Sequence, residues 1–197
     1  MLEKGYSNAG IQEILNRADV PKGSFYYYFD SKQEFALAIV NHFDEAYTAK
    51  VLKCLREQSR QFSPLQRLRA FCQCNKNSLE ASQCRNGCLI GNLSQEMADQ
   101  SEILRRRLEE IMGHWRDLFA ACIEEGQQIG EIKNNYRPDE IAELFLSGWE
   151  GAVMRAKSTK TLEPIDVFMR VMFEQVLKAQ PPQSFDAVAP QTVSQQV

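Results

Sequence analysis

Apolar residues recur at helical spacing along nearly the whole chain, and no alternation of apolar and polar residues predicts a strand. The first two helices are short and are separated by a break at residues 19–21, and we expect Ser7 or Asn8 to cap the first. A third, long helix begins after Ser31, and its apolar residues repeat every four positions: Phe35, Ile39, Phe43 and Tyr47. The predicted fold class is therefore all-α, beginning with the helix order of a helix-turn-helix.

Start signals predict five further helices, which begin at or near Pro64, Cys88, Ser101, Pro138 and Pro164. The helix from Ser101 has the longest apolar seam and ends near Gly126 or Gly130. From Pro181 onward the chain has no periodicity, which indicates a disordered tail. We therefore divide the chain into a helix-turn-helix module (1–48), a larger helical domain (49–180) and a tail (181–197).

The net charge of −3 argues against a protein that coats nucleic acid through a generally basic surface, so any nucleic-acid site must be local. No stretch has the roughly 20 apolar residues of a membrane span, and the N-terminus lacks an apolar signal core. We therefore expect a cytoplasmic protein that does not associate with membranes and whose six cysteines are mainly reduced.

The residues that would carry catalysis or bind a metal are sparse. Cys72 and Cys74 lie two positions apart on a helix and point in different directions, and only His42 and His114 could join them. The chain has no Ser-His-Asp set and no phosphate-binding glycine loop. We expect a protein that is not an enzyme and that has neither a metal site nor a cofactor.

The stretch VPKGSFYYYFDSKQEF, residues 20–35, carries three consecutive tyrosines between Phe25 and Phe29. Three phenol hydroxyls in a row need a polar partner, and the second helix of a helix-turn-helix lies in the DNA major groove. Gly23 at the start of that helix lets backbone N–H groups approach a phosphate, and tyrosine hydroxyls can bind phosphates. Residues 1–32 have four basic and four acidic side chains, so their orientation must matter more than their number.

The longer segment IQEILNRADVPKGSFYYYFDSKQEF resembles the DNA-binding signature of TetR/AcrR-type repressors, which are dimeric and all-helical. The matching features are a Lys-Gly pair, a tyrosine-rich segment after it and a Ser-Lys pair at the start of the next helix. The resemblance implies three residues that read bases: Lys22, Ser24 and Tyr27. It implies three that hold phosphates: Tyr26, Tyr28 and Lys32. Ser7 and Gly23 complete the expected contacts to double-stranded DNA, while Phe25 and Phe29 face inward.

Two alternatives accompany this interpretation. The tyrosines could merely cover an apolar cluster, and the chain could be a dimeric ligand-binding protein that does not bind DNA. The family has another helix before the Lys4–Tyr6 segment, and little of it is present. Because that helix covers the next two, we expect reduced burial of Ile11, Leu15, Phe25 and Phe29. We also expect weaker operator binding than in an upstream-extended form.

A second segment, NGCLIGNLSQEMADQSEILRRRLEE, resembles a motif of the electrophile-responsive branch, which is similar to the N-ethylmaleimide-reductase repressor. Cys88 follows a glycine as a helix begins, and a helix N-terminus lowers the pKa of a thiol, which favours alkylation or oxidation. The alternative role of Cys88 is packing. The resemblance implies Lys157 near the thiol, with a solvated helix end as its alternative role. Asn92 and Glu96 lie one turn apart on the helix face of Cys88, and we expect them to frame the pocket, with helix capping as their alternative role.

For a non-covalent inducer we expect a pocket walled by aromatic residues of the central helices, each of which could also be plain core: Phe71, Trp115, Phe119 and Trp149. We expect the last two long helices to form a homodimer, with Gly148 and Ala152 at close contacts, and therefore a palindromic operator. A small molecule or electrophile would then change the spacing of the DNA-binding modules, with the long helix from Lys32 as the lever.

Overall fold

The computed structural model describes residues 2, 4–57 and 61–179, and these residues form eight α-helices and no extended strand. The helices are α1 Ile11–Ala18, α2 Lys22–Tyr28, α3 Lys32–Leu52, α4 Pro64–Ala81, α5 Leu89–Met97, α6 Glu102–Gln128, α7 Pro138–Thr159 and α8 Glu163–Val171. Two π-helical segments continue α3 and α8, namely Lys53–Glu57 and Met172–Leu177. The all-α prediction is confirmed, whereas the predicted tail lies outside the described residues.

Serine side chains begin three of the long helices, as their sequence signals predict. Ser31, Ser63 and Ser101 each accept a hydrogen bond from the backbone N–H three residues later, and Gln66 reciprocates at Ser63. The prediction that Ser7 or Asn8 caps α1 is wrong, because the helix begins after Gly10 without a side-chain cap. Ser7 lies too far upstream and is bound elsewhere.

Aromatic packing attaches α2 to the start of α3. The ring centroids of Phe25, Phe29 and Phe35 lie 5.1 to 5.4 Å from one another. Leu15 and Phe25 are each only 4% exposed, so the expectation of reduced burial is wrong for these two residues. Ile11 and Phe29 do retain partial exposure. The cluster with α3 therefore buries the central side chains of the module.

Polar contacts hold α3 along α6. Arg107 of α6 forms an ion pair with Asp44 at 2.8 Å and donates to Asn41 at 2.7 Å. One helical turn farther along α3, the indole N–H of Trp115 donates to Thr48 at 2.9 Å. The predicted domain division at residue 48 lies inside α3, which continues through it without a break. The division remains a prediction, and α3 links both parts of the molecule.

Gly148 of α7 faces α8 of the same chain, contrary to its predicted place at a close contact of a dimer, and the place of Ala152 at such a contact remains a prediction. A Cβ at Gly148 would lie 2.8 Å from the ring of Phe168, and Ala152 is buried. The glycine lets this ring approach within one chain. Apolar side chains of α7 and α8 that remain exposed are Leu144, Met154, Val167 and Val171.

None of the helices in the described ranges is both long enough and apolar enough to cross a bilayer. In the same ranges, no three His, Cys, Asp or Glu side chains form a group that could hold a metal ion.

Candidate DNA-binding surface and thiol pocket

The three tyrosines of α2 form an outward surface. Tyr26, Tyr27 and Tyr28 are 51%, 82% and 70% exposed, whereas Phe25 immediately before them is buried. Successive helical residues are turned by about 100°, so the three rings spread over one broad side of the helix. Lys22 and Gly23 are exposed at the start of α2 and Ser24 is half-buried there. The six predicted contacts on this helix therefore lie on one module and are accessible to a partner.

Lys32 and Ser7 lie at a different place from the tyrosines. The ammonium of Lys32 is 4.5 Å from the centroid of the Tyr6 ring and 3.4 Å from the carbonyl oxygen of Ser7. A cation over an aromatic face is favourable. Lys32 thus attaches the segment before α1 to the start of α3, and its contact with a phosphate remains a prediction, as does that of Ser7.

Glu96, in the last turn of α5, binds this same segment. Its two carboxylate oxygens accept the backbone N–H groups of Tyr6 at 2.6 Å and Ser7 at 2.7 Å. Gly5 has a φ of +76°, and a Cβ there would lie 2.7 Å from a Glu96 oxygen, so the close approach requires glycine. Burial alone would raise the pKa of Glu96, but hydrogen bonds from Ser7 and Tyr6 and the charge of Lys32 lower it.

The prediction that Glu96 frames the sensor pocket is therefore not what the structure has. Glu96 lies at the opposite end of α5 from Cys88, where the helix meets the DNA-binding module. The spacing of Cys88 and Glu96 predicts that they lie near one helix face, but the two turns between them separate the pocket from the junction with the DNA-binding module.

A cavity of about 220 Å³ lies between α3, α4, the start of α5 and α7. Its polar lining includes Tyr47, Lys50 and Asn75, and its apolar lining includes Phe43 and Trp149. The Tyr47 hydroxyl and the Lys50 ammonium both donate to the side-chain oxygen of Asn75, at 3.3 and 3.4 Å. Half-buried Cys88 lines the same cavity, which we call the thiol pocket.

Only two of the predicted sensing residues line the thiol pocket directly, Cys88 and Trp149. Trp115 and Phe119 are buried in the core, because α6 lies behind the pocket wall. Asn92 and Lys157 flank the loop before Cys88: a Cβ at Gly87 would lie 3.2 Å from the Asn92 oxygen and 3.6 Å from Cδ of Lys157.

The prediction missed four residues around the thiol pocket: Tyr47, Lys50, Asn75 and Glu150. The sequence pattern indicates only that Tyr47 belongs to the apolar stripe of α3, and nothing in it indicates that this stripe also meets α4. An asparagine in the interior of α4 was the available signal, since a polar residue there needs a partner.

Cys88 caps α5, and its sulfur accepts the N–H of Gly91 at 3.5 Å. The expectation of a lowered thiol pKa is nevertheless wrong. Burial and the negative charge of Glu150 raise the pKa of Cys88 well above its usual range, and the hydrogen bonds from Gly91 and Ile90 offset this only in part. Burial likewise raises the pKa of Glu150 to about 7, although its hydrogen bond with the Cys88 thiol opposes the shift.

Comparison with known families gives matches at both ends of the chain. A family model described as "Bacterial regulatory proteins, tetR family" matches residues 1–39. A second, described as "Tetracyclin repressor-like, C-terminal domain", matches residues 64–172. These matches include the tyrosine surface in the first case and the thiol pocket residues of α4, α5 and α7 in the second.

Curated relatives and a solved structure agree with these matches. The chain is 38% identical to transcriptional regulator AcuR of Cereibacter sphaeroides, over 86% of this chain and 77% of AcuR. It is 36% identical to the transcriptional repressor DhaR of Mycobacterium sp. strain GP1, over 89% of this chain and 86% of DhaR. The crystal structure of reduced Escherichia coli NemR superimposes with a TM-score of 0.79 at 28% identity, covering 90% and 91% of the two chains.

The raised pKa of Glu150 predicts a pH-dependent stability. A carboxyl with its pKa raised from 4.5 to about 7 destabilises the folded protein as it ionises, so the penalty begins above pH 4.5 and is complete above pH 7. We expect Glu150→Gln to change the free energy of unfolding little at pH 4.5 and to raise it at pH 8 by at most about 3 kcal/mol.

Urea unfolding of Glu150→Gln at several pH values measures this, with exposed Glu143→Gln of the same helix as the matched control. A stability difference between the Glu150 variant and the wild type that does not change with pH would contradict the proposed burial cost.

Proposed function

The chain belongs to the TetR family of bacterial regulatory proteins, and we propose that this DNA-binding regulator represses transcription from a palindromic operator and is released when a small electrophile reacts with Cys88. The exposed tyrosine surface of α2 is the single observation that carries the DNA-binding part. Phe25 packs against Phe35 in the interior of the module, so the exposed tyrosine rings can contact a DNA groove while the packing of α2 is kept.

A palindromic operator follows from a paired arrangement of these surfaces. Regulators of this family act as dimers, and a two-fold dimer presents two copies of α2 to two half-sites of opposite direction. The exposed apolar side chains of α7 and α8, among them Leu144 and Val171, supply a surface that such a dimer would cover.

A thiol trigger is supported by the place of Cys88 at the wall of a cavity with aromatic and polar lining. The chain is similar to NemR, whose solved structure is described as a reduced form, and this supports thiol chemistry as the signal. A ligand that binds the same cavity without a covalent bond is the second candidate trigger, since Phe43 and Trp149 offer ring faces to it.

Release of DNA requires that an event in the thiol pocket favours a different arrangement of the DNA-binding modules. Helix α5 has nine residues, or about 13 Å, with Cys88 at its start and Glu96 in its last turn. A short helix moves as a rigid unit, so an adduct that displaces its first turn also displaces the Glu96 carboxylate from Tyr6 and Ser7. Helix α3, which lines the pocket through Tyr47 and begins at Lys32, offers a parallel route.

Replacing Tyr27 by alanine tests the DNA-binding surface. We expect operator affinity to fall about tenfold or more, because one good groove contact contributes about 1–3 kcal/mol. Fluorescence anisotropy at a stated salt concentration, with the DNA upstream of the protein's own coding sequence, measures it. Tyr136→Ala, at an exposed tyrosine between α6 and α7, is the matched control, and equal affinity of the two variants would exclude α2 as the reading helix.

Replacing Cys88 by serine tests the trigger. Treatment with N-ethylmaleimide should release the wild-type protein from its operator and leave Cys88→Ser bound, because serine cannot form the thioether. Cys74→Ser removes an exposed cysteine of α4 and should behave as the wild type. Release of Cys88→Ser by the reagent would show that the signal is received elsewhere.

Replacing Glu96 by glutamine tests the coupling. In glutamine an NH2 group replaces one of the two oxygens, so one of the two backbone N–H groups loses its acceptor. We therefore expect Cys88 to be alkylated at an unchanged rate while the loss of operator affinity on alkylation shrinks by about fivefold or more. Exposed Glu80→Gln on α4 is the control. If alkylation weakens DNA binding equally in both variants, the contact between Glu96 and the Tyr6–Ser7 segment does not transmit the signal.

A further inference from the structure

The Glu150 carboxylate lies against the first turn of α5, beside Cys88. A Cβ built at Gly91 would collide with a carboxylate oxygen of Glu150 and would lie 3.6 Å from Cβ of Cys88. The Glu150 carboxylate and the Cys88 side chain therefore both lie next to Gly91, and the absence of a side chain at Gly91 lets the carboxylate approach. The carboxylate is within hydrogen-bonding reach of the thiol.

The surroundings of Glu150 leave its charge weakly compensated. None of the ion pairs found among the described residues includes this carboxylate. On the side away from Cys88 it borders a second cavity with Glu109, Glu143 and Arg116, and the Arg116 guanidinium is paired with Asp117 at 2.8 Å. On α3, burial and, to a smaller degree, the charges of Cys88 and Glu150 raise the pKa of the Tyr47 hydroxyl.

The environment of Cys88 disfavours the thiolate, which is the nucleophilic form of a cysteine. The thiol holds its proton well above neutral pH because burial and a neighbouring negative charge disfavour the thiolate. The N–H of Gly91 can stabilise a developing negative charge on sulfur, but the S–H proton also needs an acceptor. A carboxylate with a pKa near 7 is suited to receive it, since a base works best when its pKa is close to the working pH.

We propose that Glu150 accepts the Cys88 proton when the thiol adds to a small electron-poor alkene in the thiol pocket, which makes Glu150 a catalytic residue of the sensing reaction. This inference rests on the proposed function, in which an adduct at Cys88 is the signal. It assigns the reagent class as an α,β-unsaturated carbonyl compound small enough for a cavity of about 220 Å³.

The reaction balances without an oxidant or a reductant. As the sulfur forms a bond to the β-carbon, the S–H proton moves to the Glu150 carboxylate and the alkene electron pair moves onto the carbonyl oxygen. Water then protonates the α-carbon and takes up the proton from the carboxylic acid. One S–H and one C=C bond are replaced by one S–C and one C–H bond. Lys50 lines the same cavity, and its ammonium, which directs one N–H to Asn75, has further N–H groups that can donate to the enolate oxygen.

The test is the second-order rate of Cys88 alkylation by N-ethylmaleimide, followed by mass spectrometry of the Cys88 peptide between pH 5.5 and 9. In the full-length wild type we expect the rate to rise with the ionisation of Glu150 near pH 7. In Glu150→Gln we expect a rate at pH 7.5 that is at least about tenfold lower and that rises only at higher pH, as the thiol itself ionises.

The direction in which Glu150→Gln changes the alkylation rate distinguishes a proton acceptor from the two alternative roles of Glu150. If Glu150 acted only by repelling the thiolate, the glutamine variant would react faster than the wild type, and if it were a spectator the rate would not change. Either result overturns the proposal. Glu150→Asp keeps a carboxylate on a shorter side chain and should react at an intermediate rate with the pH profile of the wild type. Glu143→Gln is the matched control on the same helix.

Alkylation and DNA release are separate readouts, so the two proposals can fail independently. Slower alkylation in Glu150→Gln, together with alkylated wild type that stays on its operator, would reject the trigger and support the role of Glu150. Release of alkylated wild type, together with an unchanged alkylation rate in Glu150→Gln, would do the opposite. If the glutamine variant does not fold, the aspartate variant and its pH profile decide the question.

Discussion

The Glu96 carboxylate joins the helical body to the segment before α1, and this contact and the continuous helix α3 are two links to the DNA-binding module. Two backbone N–H groups, at 2.6 and 2.7 Å, point at one charged side chain, an arrangement that is stronger than a neutral hydrogen bond. Because Glu96 belongs to α5, the segment before α1 is fixed to the same short helix that begins at Cys88. The pocket and the reading surface are thus separated by little more than one rigid element.

The aromatic residues of α2 differ in their surroundings, and Lys32 just after the helix contacts the segment that Glu96 binds. Phe25 is turned into the cluster with Phe35, and the three tyrosines that follow are turned outward. Lys32, which the family resemblance assigns to phosphate, packs over Tyr6 in this arrangement. The Tyr6–Ser7 segment therefore contacts the start of α3, close to the end of α2.

Local signals in the sequence predicted much of the fold but little of the chemistry at the sites. The starts of α3, α4 and α6 were predictable because Ser31, Ser63 and Ser101 act within one turn. The role of Gly148 was not, because its neighbour Phe168 belongs to another helix. The pKa of Cys88 was predicted in the wrong direction because a helix N-terminus is a local effect, whereas burial and Glu150 are contributed by tertiary packing.

The central claim is that an adduct at Cys88 reaches the DNA-binding module through α5 and Glu96. Amide hydrogen exchange of Tyr6 and Ser7, resolved residue by residue by NMR before and after alkylation of Cys88, tests it most directly. We predict exchange of these two amides about tenfold faster in the alkylated protein, with no change at Phe29, whose amide is bonded within α2. Release of the operator while Tyr6 and Ser7 keep their protection would contradict the claim.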